Sequence, residues 1–257
     1  MKEKLLVLLV GQSNMSGRGY LTDDDITEIP GLTAIRRDFQ WIPAIDPYNF
    51  DRLNLLGLSQ SDDPFEVRGL TLCGQRRCGV GPGRTFGRLL LEHSPGKEVG
   101  LIPASVGGTP IASWLPGGKD PWSEGHPYDD SLVLAKEAMK SGKIAAVLWH
   151  QGESDASGRT PDYKEKLKTV ITNFRQELHI ADVPFILGGL GSFLDPRWPV
   201  AEYDQMIREV ADEVPLCGFA SAEGLTDRGD KLHFDTPSQH ILGERYWQEY
   251  CRLVHSA

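Results

Sequence analysis

The sequence has 257 residues, of which 40% are hydrophobic and 25% are charged, so it is neither a disordered nor a fibrous chain. A net charge of −9 disfavours nucleic acid and anionic membranes as partners, because like charges repel. Four cysteines are too few for a disulfide scaffold, and Cys73 and Cys78 are compatible with either a bond or free thiols.

Five apolar, β-branched stretches predict strands, and five amphipathic stretches between and after them predict helices. Because the apolar stretches are continuous rather than alternating, both faces of their sheet are expected to be covered by helices. The pattern predicts a three-layer α/β/α sandwich around a mainly parallel five-stranded sheet. The predicted strands are residues 5–10, 99–104, 144–149, 185–190 and 216–220, and the predicted helices are 84–93, 129–141, 161–179, 200–213 and 237–254.

Nothing in the sequence marks a boundary between two units, so residues 1–257 are predicted to form one domain. Residues 16–82 show no sustained period and are predicted to be a long insertion with little regular structure. The apolar stretch at residues 5–10 is too short for a membrane span or a signal-peptide core. The sequence therefore predicts a soluble protein without a signal peptide or membrane span, and both a secreted and a cytoplasmic location stay open.

Polar motifs follow the first three long strands, at the edge where parallel α/β sheets bind their ligands. The first strand is followed by GQSNM at residues 11–15, which places Ser13 in a tight turn either as a nucleophile or as an ordinary helix cap. The second is followed by Gly107 and Gly108, where the backbone is able to approach a ligand or simply to turn. The third runs into HQGE at residues 150–153, whose side chains need partners or a cleft.

A fourth motif, DKLH at residues 230–233, precedes the last predicted helix. Its spacing lets Asp230 orient the imidazole of His233 while the other ring nitrogen accepts a proton from a serine. A loop salt bridge or half of a metal site is the alternative. His126, His150 and His240 lack metal-ligand spacing with acidic or cysteine partners, so neither a catalytic metal nor another cofactor is predicted.

Together the four motifs resemble the conserved blocks of the SGNH (GDSL-like) hydrolases. More narrowly, they are similar to the branch that holds the family six carbohydrate esterases, which are acetylxylan esterases, and the sialate O-acetylesterase-like domains. The similarity runs from residue 5 to about residue 247. It implies a flavodoxin-like α/β fold and a serine esterase that removes O-acetyl groups from carbohydrate.

The resemblance also implies roles for individual residues. Ser13 would be the nucleophile, His233 the general base and Asp230 the acid that orients it, with Glu153 as a second candidate for that acid or a structural acceptor. The oxyanion hole would combine the backbone N–H groups of Ser13 and Gly108 with the side-chain amide of Gln151.

The candidate substrate-binding residues are Gln12, Trp114 and His150. Acetylated xylan or xylo-oligosaccharide is the predicted substrate, since an acidic protein suits a neutral polysaccharide better than anionic sialic acids. The alternatives are a sialate O-acetylesterase, a general short-chain carboxylesterase, or a carbohydrate-binding protein on the same fold. No oligomeric state is predicted.

Overall fold

The computed structural model describes residues 3–49, 79–122 and 125–255. The strands in these residues are β1 Lys4–Gly11, β2 Leu32–Ile35, β3 Trp41–Pro43, β4 Glu98–Pro103, β5 Gly142–His150, β6 Phe185–Gly188 and β7 Cys217–Ala220. They form one sheet in the order β3-β2-β4-β1-β5-β6-β7, and all neighbours are parallel except β2 and β3. The mainly parallel sheet is confirmed, with seven described strands instead of the predicted five.

Helices cover both faces of this sheet. The helical segments of the described residues are α1 Ser13–Ser16, α2 Pro82–Glu92, a 3₁₀ turn at Ile111–Trp114, α3 Pro127–Ala138, α4 Glu153–Gly158, α5 Tyr163–Leu178, α6 Val200–Glu213 and α7 Thr236–His255. Three of them, α3, α5 and α6, pack on one face and two others, α2 and α7, on the opposite face, so the predicted three-layer α/β/α sandwich is confirmed. Within the described ranges, none of the helices has the length and apolar character needed to cross a membrane.

The central strand β1 shows why the sheet is buried on both sides. Leu6 and Leu8 belong to the core under α3, α5 and α6, whereas Val7 and Leu9 belong to the core under α2 and α7, and all four side chains are fully buried. Burying one such side chain contributes about 1.5–3 kcal/mol, which makes this uninterrupted apolar strand the natural centre of the sheet.

The expectation of little regular structure at residues 16–82 is wrong for two segments, because β2 and β3 add an antiparallel pair to the β4 edge of the sheet. Their hydrophobic stretches are too short, at four and three residues, to stand out from the charged residues between them. Residues 50–78, with Cys73 and Cys78, lie outside the described part of the chain.

Three adjacent central strands end at the same edge of the sheet. β4 is followed by the glycine pair 107–108, β1 by Ser13, and β5 by Glu153. Asp230 and His233 reach this edge from elsewhere, in the loop between β7 and α7. The topology therefore brings all four sequence motifs to one place.

Candidate active site

A close approach of two strands shapes the turn that carries Ser13. Gly11 has a φ of 121°, and a Cβ atom there would stand 2.1 Å from the carbonyl oxygen of His150, so only glycine fits. The next N–H, that of Gln12, donates to the same carbonyl at 2.8 Å. The chain then turns at once into the single-turn helix α1, which places Ser13 at the edge of the sheet.

A chain of hydrogen bonds links Ser13, His233 and Asp230. His233 Nε2 lies 3.0 Å from Ser13 Oγ, and His233 Nδ1 lies 2.8 Å from Asp230 Oδ2. Because a carboxylate only accepts, Nδ1 carries the proton and Nε2 is left to accept from the serine hydroxyl. This is the geometry in which an imidazole is able to deprotonate a serine.

The Asp230 carboxylate is fixed by four donors. Oδ1 accepts the backbone N–H groups of Leu232 and His233 at 3.0 and 2.8 Å, and Oδ2 accepts His233 Nδ1 and Arg228 Nε at 2.8 and 2.6 Å. Arg228 also donates from Nη1 to the carbonyl of Arg18 at 2.7 Å. The acid is therefore held by its own loop, and that loop is attached to the segment that follows Ser13.

The pKa values of this pair favour an ionised acid beside a neutral imidazole. Burial works to raise the pKa of Asp230, but the hydrogen bonds from His233 and Arg228 outweigh it and hold that pKa well below its usual range. Burial, together with the positive charges of Arg18 and Arg228, lowers the pKa of His233 to about 4 despite the opposing hydrogen bond to Asp230. A neutral imidazole is the form that accepts a proton.

A cleft of about 440 Å³ opens above Ser13 and His233. Gly108 borders it with a φ of 77°, and a Cβ atom at that position would stand 3.4 Å from the indole nitrogen of Trp122. Within the described part of the chain, the backbone N–H groups of Ser13 and Gly108 have no protein acceptor. The lining residues are Gln12, Ser13, Arg18, Gly107, Gly108, Trp122, Glu153, Ser154, Ser157, Trp198, Leu232 and His233.

Of the two candidate acids, Asp230 contacts His233, whereas Glu153 contacts Asn14. Glu153 is 1% exposed, and its Oε1 accepts from Asn14 Nδ2 at 2.5 Å. Burial raises the pKa of Glu153 to about 7. His150 Nε2 lies 3.6 Å from Glu153 Oε1, beyond hydrogen-bond distance.

The structure corrects the expectation for Gln151. Its side chain is fully buried outside the cleft, and its amide nitrogen donates to the carbonyl of Thr109 at 3.1 Å and to Asp155. The buried Asp155 carboxylate also accepts the N–H of Ile111 at 2.8 Å. A buried carboxylate requires donors, so Asp155 binds the amide that was predicted to serve the oxyanion hole.

Two predicted substrate contacts are also corrected, and one is retained. Trp114 is fully buried, stacks edge-on against Trp149 and donates from Nε1 to Thr109 at 3.0 Å. His150 is fully buried as well, and burial lowers its pKa to about 3. Gln12 borders the cleft.

The cleft also contains residues beyond the predicted site residues. Trp198 borders it, and so does Trp122, which is 72% exposed. Among the tryptophans predicted to lie in loops, which include Trp122, the sequence favoured Trp114 because it follows Gly108 by six residues. Arg228 and Asn14 were missed as well. Asn14 had a signal, since it follows Ser13 directly inside the GQSNM motif.

The described residues contain no group of three or more His, Cys, Asp or Glu side chains arranged to hold a metal ion. His233 is hydrogen-bonded to Asp230 and Ser13, and His150 is hydrogen-bonded to Tyr246. The predicted independence from a metal stays a prediction.

The chain is similar to known proteins over nearly its whole length. A family model described as carbohydrate esterase, sialic acid-specific acetylesterase, matches residues 3–252. A probable carbohydrate esterase of Arabidopsis thaliana is 28% identical over 255 residues, covering 95% of this chain and 89% of the plant protein. The crystal structure of the plant protein superimposes with a TM-score of 0.74 at 25% identity, covering 97% of this chain and 98% of that one.

Two bacterial enzymes share the fold at lower identity. A carbohydrate acetylesterase from Xanthomonas citri has a TM-score of 0.63 at 17% identity, with 98% of this chain and 57% of that chain covered. An acetylxylan esterase from Geobacillus stearothermophilus has a TM-score of 0.55 at 11% identity, with 97% and 95% covered.

Proposed function

Because the chain belongs to the carbohydrate esterase family of sialic acid-specific acetylesterases, we propose that it removes O-acetyl groups from carbohydrate through an acetyl-Ser13 intermediate. It is a carboxylic ester hydrolase by family, and the mechanism is our proposal. The observation that carries this mechanism is the hydrogen-bonded series Ser13–His233–Asp230 at the floor of the cleft. We propose that residues 1–257 form one domain, because the turn after β1 and the loop before α7 both supply residues of this series.

In the first half of the reaction, Ser13 Oγ attacks the carbonyl carbon of the acetyl ester while His233 Nε2 takes the hydroxyl proton. The imidazolium is stabilised by the ionised Asp230 carboxylate, which keeps its charge throughout. When the tetrahedral intermediate collapses, the bond to the sugar oxygen breaks and His233 returns the proton to that oxygen. The deacetylated sugar leaves and Ser13 carries the acetyl group.

In the second half, water attacks the acetyl-Ser13 carbonyl and His233 takes a proton from it. The intermediate collapses with return of that proton to Ser13 Oγ, and acetate leaves. Both tetrahedral intermediates carry a negative oxygen, and we assign its stabilisation to the N–H groups of Ser13 and Gly108. One such donor contributes about 2.7–4 kcal/mol to the transition state.

A neutral acetylated polysaccharide such as xylan is the substrate that we propose. The net charge of −9 favours a neutral chain over anionic sialic acids. The exposed indole of Trp122 beside Gly108 offers the flat apolar surface on which a pyranose ring stacks. An O-acetylated sialic acid is the second candidate, favoured by the family description.

The test is acetate release from acetylated xylan, an O-acetylated sialic acid and an aryl acetate, by the wild type and by Ser13→Ala. We expect release from the xylan and a loss of more than about 10⁴-fold in Ser13→Ala, and no loss after dialysis against EDTA. Ser16→Ala is the matched control, because Ser16 is a buried serine of the same helical turn that bonds to Ser105 outside the cleft. Full activity in Ser13→Ala would refute the mechanism, and preference for the sialic acid would refute the substrate assignment.

A further inference from the structure

The side chain of Asn14 joins the nucleophile turn to the backbone on both sides of His233. Its Nδ2 donates to the carbonyl of Leu232 at 3.2 Å, and its Oδ1 accepts the N–H of Phe234 at 3.1 Å. Leu232 and Phe234 are the residues immediately before and after His233. Asn14 itself is 1% exposed, so water does not compete for these bonds.

These two bonds require one orientation of the Asn14 amide. With the amide turned over, the NH₂ group would face the N–H of Phe234 and the oxygen would face the carbonyl of Leu232, so both bonds would become repulsive. Glu153 selects the productive orientation, because its Oε1 accepts from Asn14 Nδ2 at 2.5 Å and would repel the amide oxygen. The buried carboxyl group therefore favours the same orientation of Asn14 as the two backbone bonds do.

Among the described residues, no residue other than Asn14 donates a side-chain hydrogen bond to the Glu153 carboxyl group. Its Oε2 is buried without a hydrogen-bond partner there, and so is the nearby His150 Nε2. Both ring nitrogens of His233 already face Asp230 and Ser13. Asp155, Tyr163 and Tyr246 are the other titratable groups around Glu153, and none of them bonds to it.

We propose that Glu153 is a positioning residue, which acts through Asn14 to fix the backbone around His233 and so keeps Nε2 directed at Ser13. This inference rests on the proposed function of Ser13 and His233. It differs from the role of a triad acid, since it requires an acceptor for Asn14 and not a negative charge. It also differs from a substrate contact, although Glu153 borders the cleft.

The test measures kcat and KM separately for Glu153→Gln, Glu153→Ala, Asn14→Ala and the Glu153→Ala/Asn14→Ala double variant. A base displaced by about 1 Å costs about 10²-fold, so we expect Glu153→Ala and Asn14→Ala each to lower kcat by about 10–100-fold with KM unchanged. Glu153→Gln keeps an acceptor for Asn14, so its kcat is expected within about threefold of wild type. The double variant is expected to be no slower than Asn14→Ala alone.

Three results would overturn the proposal. Equal losses in Glu153→Gln and Glu153→Ala would assign the effect to the charge, a raised KM with normal kcat would assign it to substrate contact, and additive losses in the double variant would separate Glu153 from Asn14. Asp130→Ala, which removes a fully buried carboxylate from α3 outside the cleft, is the matched control and is expected to lower thermal stability but not kcat.

If Glu153→Ala does not fold, the relation is tested by exchanging donor and acceptor. Asn14→Asp places a carboxylate against Glu153 and is expected to lower kcat, and adding Glu153→Gln supplies a donor and is expected to restore part of it. Absence of that recovery refutes the inference. The proposed function is decided separately by Ser13→Ala, so the failure of one is distinguishable from the failure of the other.

Discussion

Replacing Asp230 by asparagine exchanges one oxygen of a carboxylate that serves four donors for an NH₂ group. Oδ1 accepts two backbone N–H groups, and Oδ2 accepts His233 Nδ1 and Arg228 Nε. An asparagine oxygen is able to serve only one of these pairs. If it keeps the backbone pair, its NH₂ group faces His233 Nδ1, which must then accept a hydrogen bond instead of donating one.

The magnitude follows from this change of tautomer. With Nδ1 as an acceptor, the proton of the neutral ring resides on Nε2, which then no longer accepts from Ser13 at 3.0 Å. In Ser-His-Asp triads this loss is about 10⁴-fold in kcat, or about 5.4 kcal/mol at 1.36 kcal/mol for each factor of ten. We expect KM to stay near the wild-type value, because Asp230 does not border the cleft.

The assay is steady-state hydrolysis of an aryl acetate by wild type, Asp230→Asn and Asp227→Asn. Asp227 is the matched control, since its Oδ1 accepts the N–H groups of Gly229 and Lys231 at 2.7 and 2.8 Å in the same loop. A loss in Asp230→Asn no larger than that in Asp227→Asn would show that Asp230 only shapes the loop, and the triad assignment would be wrong.

Three further predictions concern the oxyanion donor, the base and the substrate. Gly108→Ala puts a side chain on a residue with a φ of 77° and crowds Trp122, so it is expected to displace one oxyanion donor and lower kcat by about 10²-fold. Gly117 has a φ of 71° but no neighbour within 4 Å of the position that a Cβ atom would take, so Gly117→Ala is the control and is expected to leave kcat unchanged. A normal kcat in Gly108→Ala would remove Gly108 from the oxyanion hole. Burial lowers the pKa of His233 to about 4, and the imidazole must be neutral to act as a base. The value of kcat/KM is therefore expected to decline only as the pH falls through about 4. A pH–rate profile with a decline centred at 6.5, the ordinary pKa of histidine, would contradict this. Trp122→Ala is expected to raise KM for an acetylated xylo-oligosaccharide by about 2–10-fold and to leave KM for an aryl acetate unchanged. Phe39 is an exposed aromatic residue outside the cleft, and Phe39→Ala is expected to change neither KM value. Equal effects of Trp122→Ala on both substrates would argue against stacking.

The sheet was predictable from the sequence because its central strands are continuous apolar stretches. β1, β4 and β5 fall within two residues of their predicted ranges at each end. β2 and β3 were not predictable, because four and three residues carry too little periodicity, and their position is decided by pairing with β4 and with each other.

The motifs predicted which residues meet but not which way every side chain points. Gln151 and Trp114 both follow strands that end at the edge of the sheet where the site lies. Contacts with the buried Asp155 and Trp149 nevertheless hold their side chains away from the cleft. Such outcomes depend on competing partners that lie far apart in the chain or on the next turn of a helix. Trp122, eight residues beyond Trp114, faces the cleft instead.

The catalytic residues stand on two parts of the structure, the central strands and a loop, that are attached by different numbers of contacts. Ser13 and Gly108 follow adjacent strands at the centre of the sheet, whereas His233 stands on a loop whose bonds to the nucleophile segment run through Asn14 and Arg228. Detaching that loop separates base from nucleophile without breaking any strand pair. On heating, hydrolysis is therefore expected to disappear before the circular dichroism of the sheet and helices changes, and activity reports the attachment of one loop rather than the integrity of the fold.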